Sequence, residues 1–184
     1  MNSVAQPTAN TITPRSHPVH IPGEPILRVE HLSLAYEGVV ALQNVTFQLI
    51  TGERMAVIGP NGAGKSTLFK IIAGLLKPGS GTVSVFGAEP SGHICISYLP
   101  QHNHVDWNFP VTVGEVVMMG RTRKIGFFRW PSAGDREIVS RALRTVGLHA
   151  HAHRQISQLS GGQQQRMFIA RALAQQADLM LMDE

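Results

Sequence analysis

The sequence predicts an α/β fold in which a mostly helical subdomain is inserted into a strand-rich core. Three observations point there. Apolar segments of strand character come first, in "PILRVEHLSLAY" and "ALQNVTFQLI". At Lys65 the apolar spacing changes to that of a helix, through Leu68, Phe69, Ile71, Ile72, Leu75 and Leu76. The stretch from Val111 to about Gly147 then reads mainly as helix, ahead of a second helix and a last short apolar run, "DLMLM".

Residues 1–24 are rich in Pro, Thr, Ser and Asn with few large apolar side chains, so a disordered lead-in is expected there. Ile26, Val29, Leu32 and Leu34 mark extended segments, and "ALQNVTFQLI" alternates enough to form another strand. After a glycine turn, "RMAVIG" (Arg54 to Gly59) is expected to be a short strand buried on both faces. The helix from Lys65 should stop at "KPGSG", and "TVSVFG" and "ICISYL" read as further strands. In "DREIVSRALRTVG" one helical face carries Ile138, Val139, Ala142, Leu143 and Val146, with Gly147 as the stop. A second helix should run through "GGQQQRMFIARALAQQ". No internal repeat interrupts this order.

A chain of 184 residues suits one domain with a real core, and 43% hydrophobic content with 18 glycines fits a soluble globular protein. No apolar run approaches the length needed to cross a bilayer. The N-terminus lacks the basic-then-apolar order of a secretory signal, and the single cysteine, Cys95, excludes an internal disulfide framework. Cys95 is expected to be a buried strand thiol, and a cytoplasmic address follows by default. The net charge of +4 suits a polyanionic ligand, but no Lys/Arg run marks a nucleic-acid arm. No nucleic-acid partner is expected.

The chemistry begins at "GPNGAGKST", Gly59 to Thr67, which matches G-x-x-x-x-G-K-[ST] after an expected strand and at the start of an expected helix. Gly59, Gly62 and Gly64 let the backbone turn tightly around Pro60, Asn61 and Ala63 and aim N–H groups at phosphate oxygens. The following helix adds the positive end of its dipole. Lys65 would bridge the β- and γ-phosphates, and the Ser66 hydroxyl would ligate Mg²⁺. The bland alternative is a glycine-rich turn with a surface lysine. The flanking strand and helix favour a site for a nucleoside triphosphate. In such a P-loop fold the terminal "LMLMDE" would bring Asp183 to the Mg²⁺ held by Ser66, and Glu184 would orient or deprotonate an attacking water.

"LSGGQQQR", Leu159 to Arg166, is not demanded by that chemistry. It resembles the signature motif of ABC-type ATPases, and "ARALAQQADLMLMDE" continues as in that family. "YLPQ" resembles the family's glutamine loop, with Gln101 reaching toward Mg²⁺ and the water. Tyr36, in "LAYEG", stands where the family stacks an aromatic on adenine; its bland alternative is a half-buried strand aromatic. The resemblance covers nearly everything from Ile26 onward and implies an ABC ATP-binding domain over 25–184. It further implies an N-terminal antiparallel β part, a helical subdomain at about 103–160 and last strands missing. Ser160 would cap a helix whose free N–H groups, with Gly161, Gly162 and Gln163, face the γ-phosphate held by a second copy of the chain. ATP and Mg²⁺ are the implied cofactors. The implied location is the inner face of the cell membrane, as a peripheral subunit.

The stretch "VDWNFPVTVGEVVMMGR" is similar to the ATPase subunits of importers for manganese, zinc or iron. The implied partners are a second ATPase chain, integral-membrane permease subunits and, indirectly, a metal-binding solute receptor. Metal import also draws the eye to "HNHVD" (His102, His104, Asp106) and "HAHAH" (His149, His151, His153). Both fall in expected loops without the usual ligand spacing, so they read as ordinary polar loop residues. Trp107 and Phe109 are expected instead to supply apolar contact for docking a permease. A DNA- or ribosome-directed ABC ATPase is disfavoured: only a small helical subdomain fits between Gln101 and Leu159, and the chain has a single glycine loop. The family continues beyond the acids with an aspartate loop and a switch histidine. The chain is therefore expected to be the front part of a longer ATPase, one that binds nucleotide but hydrolyses little by itself.

Overall fold

Two long strands open the fold, β1 (Pro25–Tyr36) and β2 (Val39–Ile50), joined at Glu37 and Gly38. Both loop residues have positive φ, 46° and 86°, the turn geometry whose twist matches that of antiparallel strands. β3 (Ser80–Val85) pairs with the other side of β1, giving an antiparallel sheet of order β2-β1-β3. The computed structural model describes residues 25–90, 96–100, 106–126 and 129–183. The disorder expected of residues 1–24 and the thiol expected of Cys95 lie outside them.

α1 (Lys65–Ile72) lays Leu68, Ile71 and Ile72 on this sheet, where they meet Val29, Leu32 and Val85. It ends sooner than its apolar spacing suggests. Gly74 has φ 72° and donates to the Ile71 carbonyl, a left-handed stop that leaves Leu75 67% exposed. β4 (Ile96–Leu99) and β5 (Leu179–Met182) form a second, parallel sheet in register from Ile96↔Leu179 to Leu99↔Met182. Ile96, Leu179 and Leu181 complete the same apolar core.

A parallel pair needs a long crossover, and here the crossover contains the helices. α2 (Val113–Met119), α3 (Thr122–Ile125) and α4 (Ala133–Thr145) are followed by α5 (Gly161–Gln175). Thr112 with Glu115, and Ser132 with Asp135, form capping boxes that satisfy the first amides of α2 and α4. A second core gathers Val113, Val117, Leu143, Leu148 and Ile156 around Met167 and Ala170 of α5. The helical packing therefore runs past residue 160 into α5. Arg121, 7% exposed, ties the unit together. It pairs with Asp135 at 2.9 Å and donates to the Ala174 carbonyl and to Gln176 Oε1.

One expected element is corrected. Arg54–Gly59 forms no strand; Met55 is 48% and Ile58 93% exposed, and only Val57 packs against the core. A strand is defined by its neighbours, because its amides and carbonyls need a ladder. Among the described residues no strand pairs with this segment. The apolar run was legible in the sequence, whereas burial on both faces required sheet neighbours that the described residues do not supply.

Candidate functional site

The glycine loop bridges Arg54–Gly59 and α1. The Ala63 amide donates to the Pro60 carbonyl at 3.2 Å, closing the turn, and Gly62 and Gly64 have φ of 85° and 82°. Gly64 has a second constraint. A Cβ there would lie 2.2 Å from the Ala41 carbonyl oxygen of β2, so only glycine lets loop and hairpin approach this closely. Lys65 Nζ donates to the carbonyls of Gly59 (2.7 Å) and Pro60 (2.9 Å), which holds the ammonium over the loop. The first turn of α1 contains no acid to oppose an anion.

A cavity of about 490 Å³ opens here. Tyr36, Val39, Val40 and Ala41 form one wall; Asn61, Gly62 and the run from Gly64 to Thr67 form the other. Tyr36 is 46% exposed at the end of β1, beside the exposed apolar residues Val39 and Val40. One wall suits an aromatic ring, the other a chain of phosphates. Structure thus brings Tyr36 together with Asn61, Gly62, Gly64, Lys65, Ser66 and Thr67, residues far apart in expected role and sequence.

At the edge of that wall, Ser66 Oγ donates to Asp183 Oδ1 at 3.0 Å. These residues are separated by 117 positions and meet because β5 delivers the residue that follows it to the start of α1. The second oxygen, Asp183 Oδ2, accepts a hydrogen bond from the Tyr98 hydroxyl at 3.2 Å. Burial, reinforced by the neighbouring carboxylate and the hydrogen bond to it, pushes the Tyr98 phenol up to about 12. Tyr98 was absent from the expected site. The signal lay inside "YLPQ", but only the β4–β5 register shows that its hydroxyl reaches Asp183.

The residues fit Mg²⁺. A hydroxyl and a carboxylate supply hard oxygen donors on one spot. Among the described residues no group of three His, Cys, Asp or Glu could hold a metal, so phosphate oxygens and water would have to complete the shell. That is the usual manner in which Mg²⁺ is bound beside a nucleotide.

Other expected site residues stand elsewhere. Gln101 and Glu184 lie outside the described residues. Ser160 is the N-cap of α5, with extended backbone (φ −66°, ψ 158°), and its N–H donates to Gln163 Oε1 at 3.0 Å. Ser160, Gly161 and Gly162 are exposed and do not line the loop's cavity. A Cβ at Gly161 or Gly162 would meet nothing within 4 Å, so the chain's own packing does not demand glycine at either position. His149 to His151 form a single 3-10 turn, not a strand. Their side chains diverge: His149 Nε2 meets Ser140 Oγ at 3.1 Å, and His151 Nε2 meets Gln163 Nε2 at 3.4 Å. His102 and His104 lie outside the described residues, and Asp106 Oδ1 accepts from the Asn108 amide. Trp107 packs edge-on against Phe168 of α5 with ring centroids 6.0 Å apart, while Phe109 is 57% exposed. Of that pair, Phe109 is the exposed residue and Trp107 is half-buried.

Comparison with known proteins bears on the same residues. Residues 42–184 match the family described as ABC transporter. The manganese transport system ATP-binding protein MntB of Bacillus subtilis is 46% identical over 159 residues, which cover 86% of this chain and 64% of that protein. The chelated iron transport system membrane protein YfeB of Yersinia pestis is 48% identical over 174 residues, covering 92% of this chain and 58% of that protein. Among solved structures, a metal-chelate type ABC transporter in an inward-facing conformation superposes with a TM-score of 0.75 at 35% identity. That match covers 87% of this chain and 60% of the other. The chain spans less than two thirds of the length of the relatives it matches.

Proposed function

This chain belongs to the ABC transporter family, and from that premise we propose that it is the ATP-binding part of an ATPase that energises metal-ion import through a separate permease. The proposed ATP-binding domain spans 25–184, with the helical subdomain at about 103–160. The observation that carries the reading is the meeting of Ser66 and Asp183 at 3.0 Å beside the Gly59–Thr67 loop. A loop of glycine amides alone would suit any anion. With a hydroxyl–carboxylate pair at its edge, the site suits a metal-chelated triphosphate.

The cavity supports roles for the residues that line it, and the family pattern supports the others. Tyr36 offers its ring to the adenine, and the loop amides with Lys65 hold the β- and γ-phosphates. Ser66 and Asp183 would hold Mg²⁺, which when bound supplies positive charge between phosphate oxygens. Gln101 and Glu184 are assigned the attacking water, as orienting group and base. Ser160, Gly161, Gly162 and Gln163 are assigned to the ATP of a second copy. The open space above Gly161 and Gly162 supports that assignment, since glycine in a helix is unfavourable by about 1 kcal/mol relative to alanine and the fold itself does not require it.

Coupling then needs no further chemistry in this subunit. ATP draws two chains together because both a glycine loop and the opposite Ser160 segment hold the γ-phosphate. Permease subunits docked near Phe109 move with the chains, and loss of the γ-phosphate reopens the pair. No helix among the described residues is long and apolar enough to cross a membrane. A peripheral position on the inner face of the membrane is proposed accordingly, with a metal-binding solute receptor acting through the permease. The names of the manganese and iron relatives support a transition-metal cargo.

The test is ATP binding by calorimetry with wild-type chain and Lys65→Ala. Binding by the wild type and none by the variant is expected; equal affinity in the two would refute the assigned phosphate site.

A further inference from the structure

Asp183 is held by β4 at two levels. Its backbone amide donates to the Leu99 carbonyl at 3.0 Å, which continues the β4–β5 ladder by one residue. Its side chain is held by the adjacent residue, Tyr98, whose hydroxyl donates to Oδ2 at 3.2 Å while Oδ1 accepts from Ser66. Asp183 is 9% exposed, so neither oxygen can turn freely to bulk water. A carboxylate bonded at only one oxygen can swing about its terminal torsion, which is broad and roughly two-fold. Bonded at both, it presents one fixed oxygen to Ser66.

We propose that Tyr98 is a positioning residue for the metal half of the nucleotide site: its hydroxyl fixes the Asp183 carboxylate so that Oδ1 faces Ser66. This rests on the nucleotide reading above and deepens it. Tyr98 is not among the residues lining the cavity, whose loop side is formed by Asn61, Gly62 and Gly64 to Thr67; its hydroxyl is spent on Asp183. Its effect is therefore specific to Mg²⁺. Nucleotide bound without metal uses the loop amides and Lys65, which Tyr98 does not reach.

The discriminating substitution is Tyr98→Phe, which keeps the ring and its packing and removes only the hydroxyl. ATP affinity is measured by calorimetry for both proteins, once with Mg²⁺ and once with excess EDTA. The expected result is a loss of about three- to tenfold in the affinity gain due to Mg²⁺, the range for one hydrogen bond, with metal-free affinity unchanged. An unchanged Mg²⁺ gain, or an equal loss with and without metal, overturns the proposal. A wild-type chain that binds ATP under neither condition overturns the nucleotide reading itself, and the metal-positioning role with it. A second measurement needs no nucleotide. Urea unfolding of wild type, Tyr98→Phe, Asp183→Asn and the double variant forms a cycle, and coupling of about threefold or more in the unfolding constant is expected. Additive effects in that cycle would show that the hydroxyl does not hold the carboxylate.

Discussion

Replacing Gly64 by alanine tests why the glycine loop stands where it does. Two effects add. At φ 82° an alanine sits in the left-handed region, a penalty of about 1–2 kcal/mol. Its Cβ would also lie 2.2 Å from the Ala41 carbonyl oxygen and 3.0 Å from Leu42 Cδ2. Ala41 is the extra residue of a bulge, between Leu42 paired with Leu34 and Val40 paired with Ala35, so relieving the contact displaces that bulge of β2 or the start of α1, at roughly a further 1–3 kcal/mol. Gly62 is the control. Its φ is 85°, yet a Cβ there would meet nothing within 4 Å, so Gly62→Ala should show the backbone penalty alone. The entropy that alanine removes from the unfolded chain is common to both and cancels. Gly64→Ala should thus be less stable than Gly62→Ala by about 1–3 kcal/mol, read as a lower urea midpoint at unchanged slope. Equal midpoints would refute the claim that contact with β2 fixes the loop.

Two further outcomes follow from the helical unit. Arg121→Ala leaves Asp135, 13% exposed at its side chain, without its cation and strips donors from the end of α5; a loss of about 3 kcal/mol is expected in chemical denaturation. The exposed pair Arg144–Glu137, with side chains 51% and 57% accessible, should lose under about 1 kcal/mol on Arg144→Ala. Acid should loosen the same unit. The backbone amide and hydroxyl of Thr112 hold Glu115 below its ordinary range, and the Ser132 hydroxyl and amide, with Arg121, do so for Asp135. Groups depressed in the folded state stabilise it above their unfolded values near 4 and lose that contribution as pH falls through the folded ones. Thermal unfolding should shift to lower temperature across that acid window, and Asp135→Asn should flatten the dependence.

Local backbone chemistry was legible in the sequence because it depends on neighbours along the chain. Glycines at 59, 62 and 64 with Lys65 and Ser66 announce a phosphate loop. The apolar face of α4 and its stop at Gly147, φ 70°, are equally local. Ser160 as a helix cap needed only its position before α5. The family resemblance drew on the same kind of short, ordered motif. Leu75 shows the limit even at short range, because apolar spacing continued past Gly74 while the backbone turned away.

Sequence by itself determined the parts that could touch phosphate: an ordered set of amides, a lysine, a hydroxyl and an acid, each defined by residue type and spacing. Tertiary structure alone decided which of them meet. Ser66, Tyr98 and Asp183 converge through the pairing of β4 with β5, a register set by packing across a crossover of nearly eighty residues. The same dependence on neighbours explains Arg54–Gly59, whose apolar pattern is strand-like but which pairs with no strand among the described residues. Hydrogen-bond partners distant in sequence leave no periodicity in either segment, so only the folded arrangement records them.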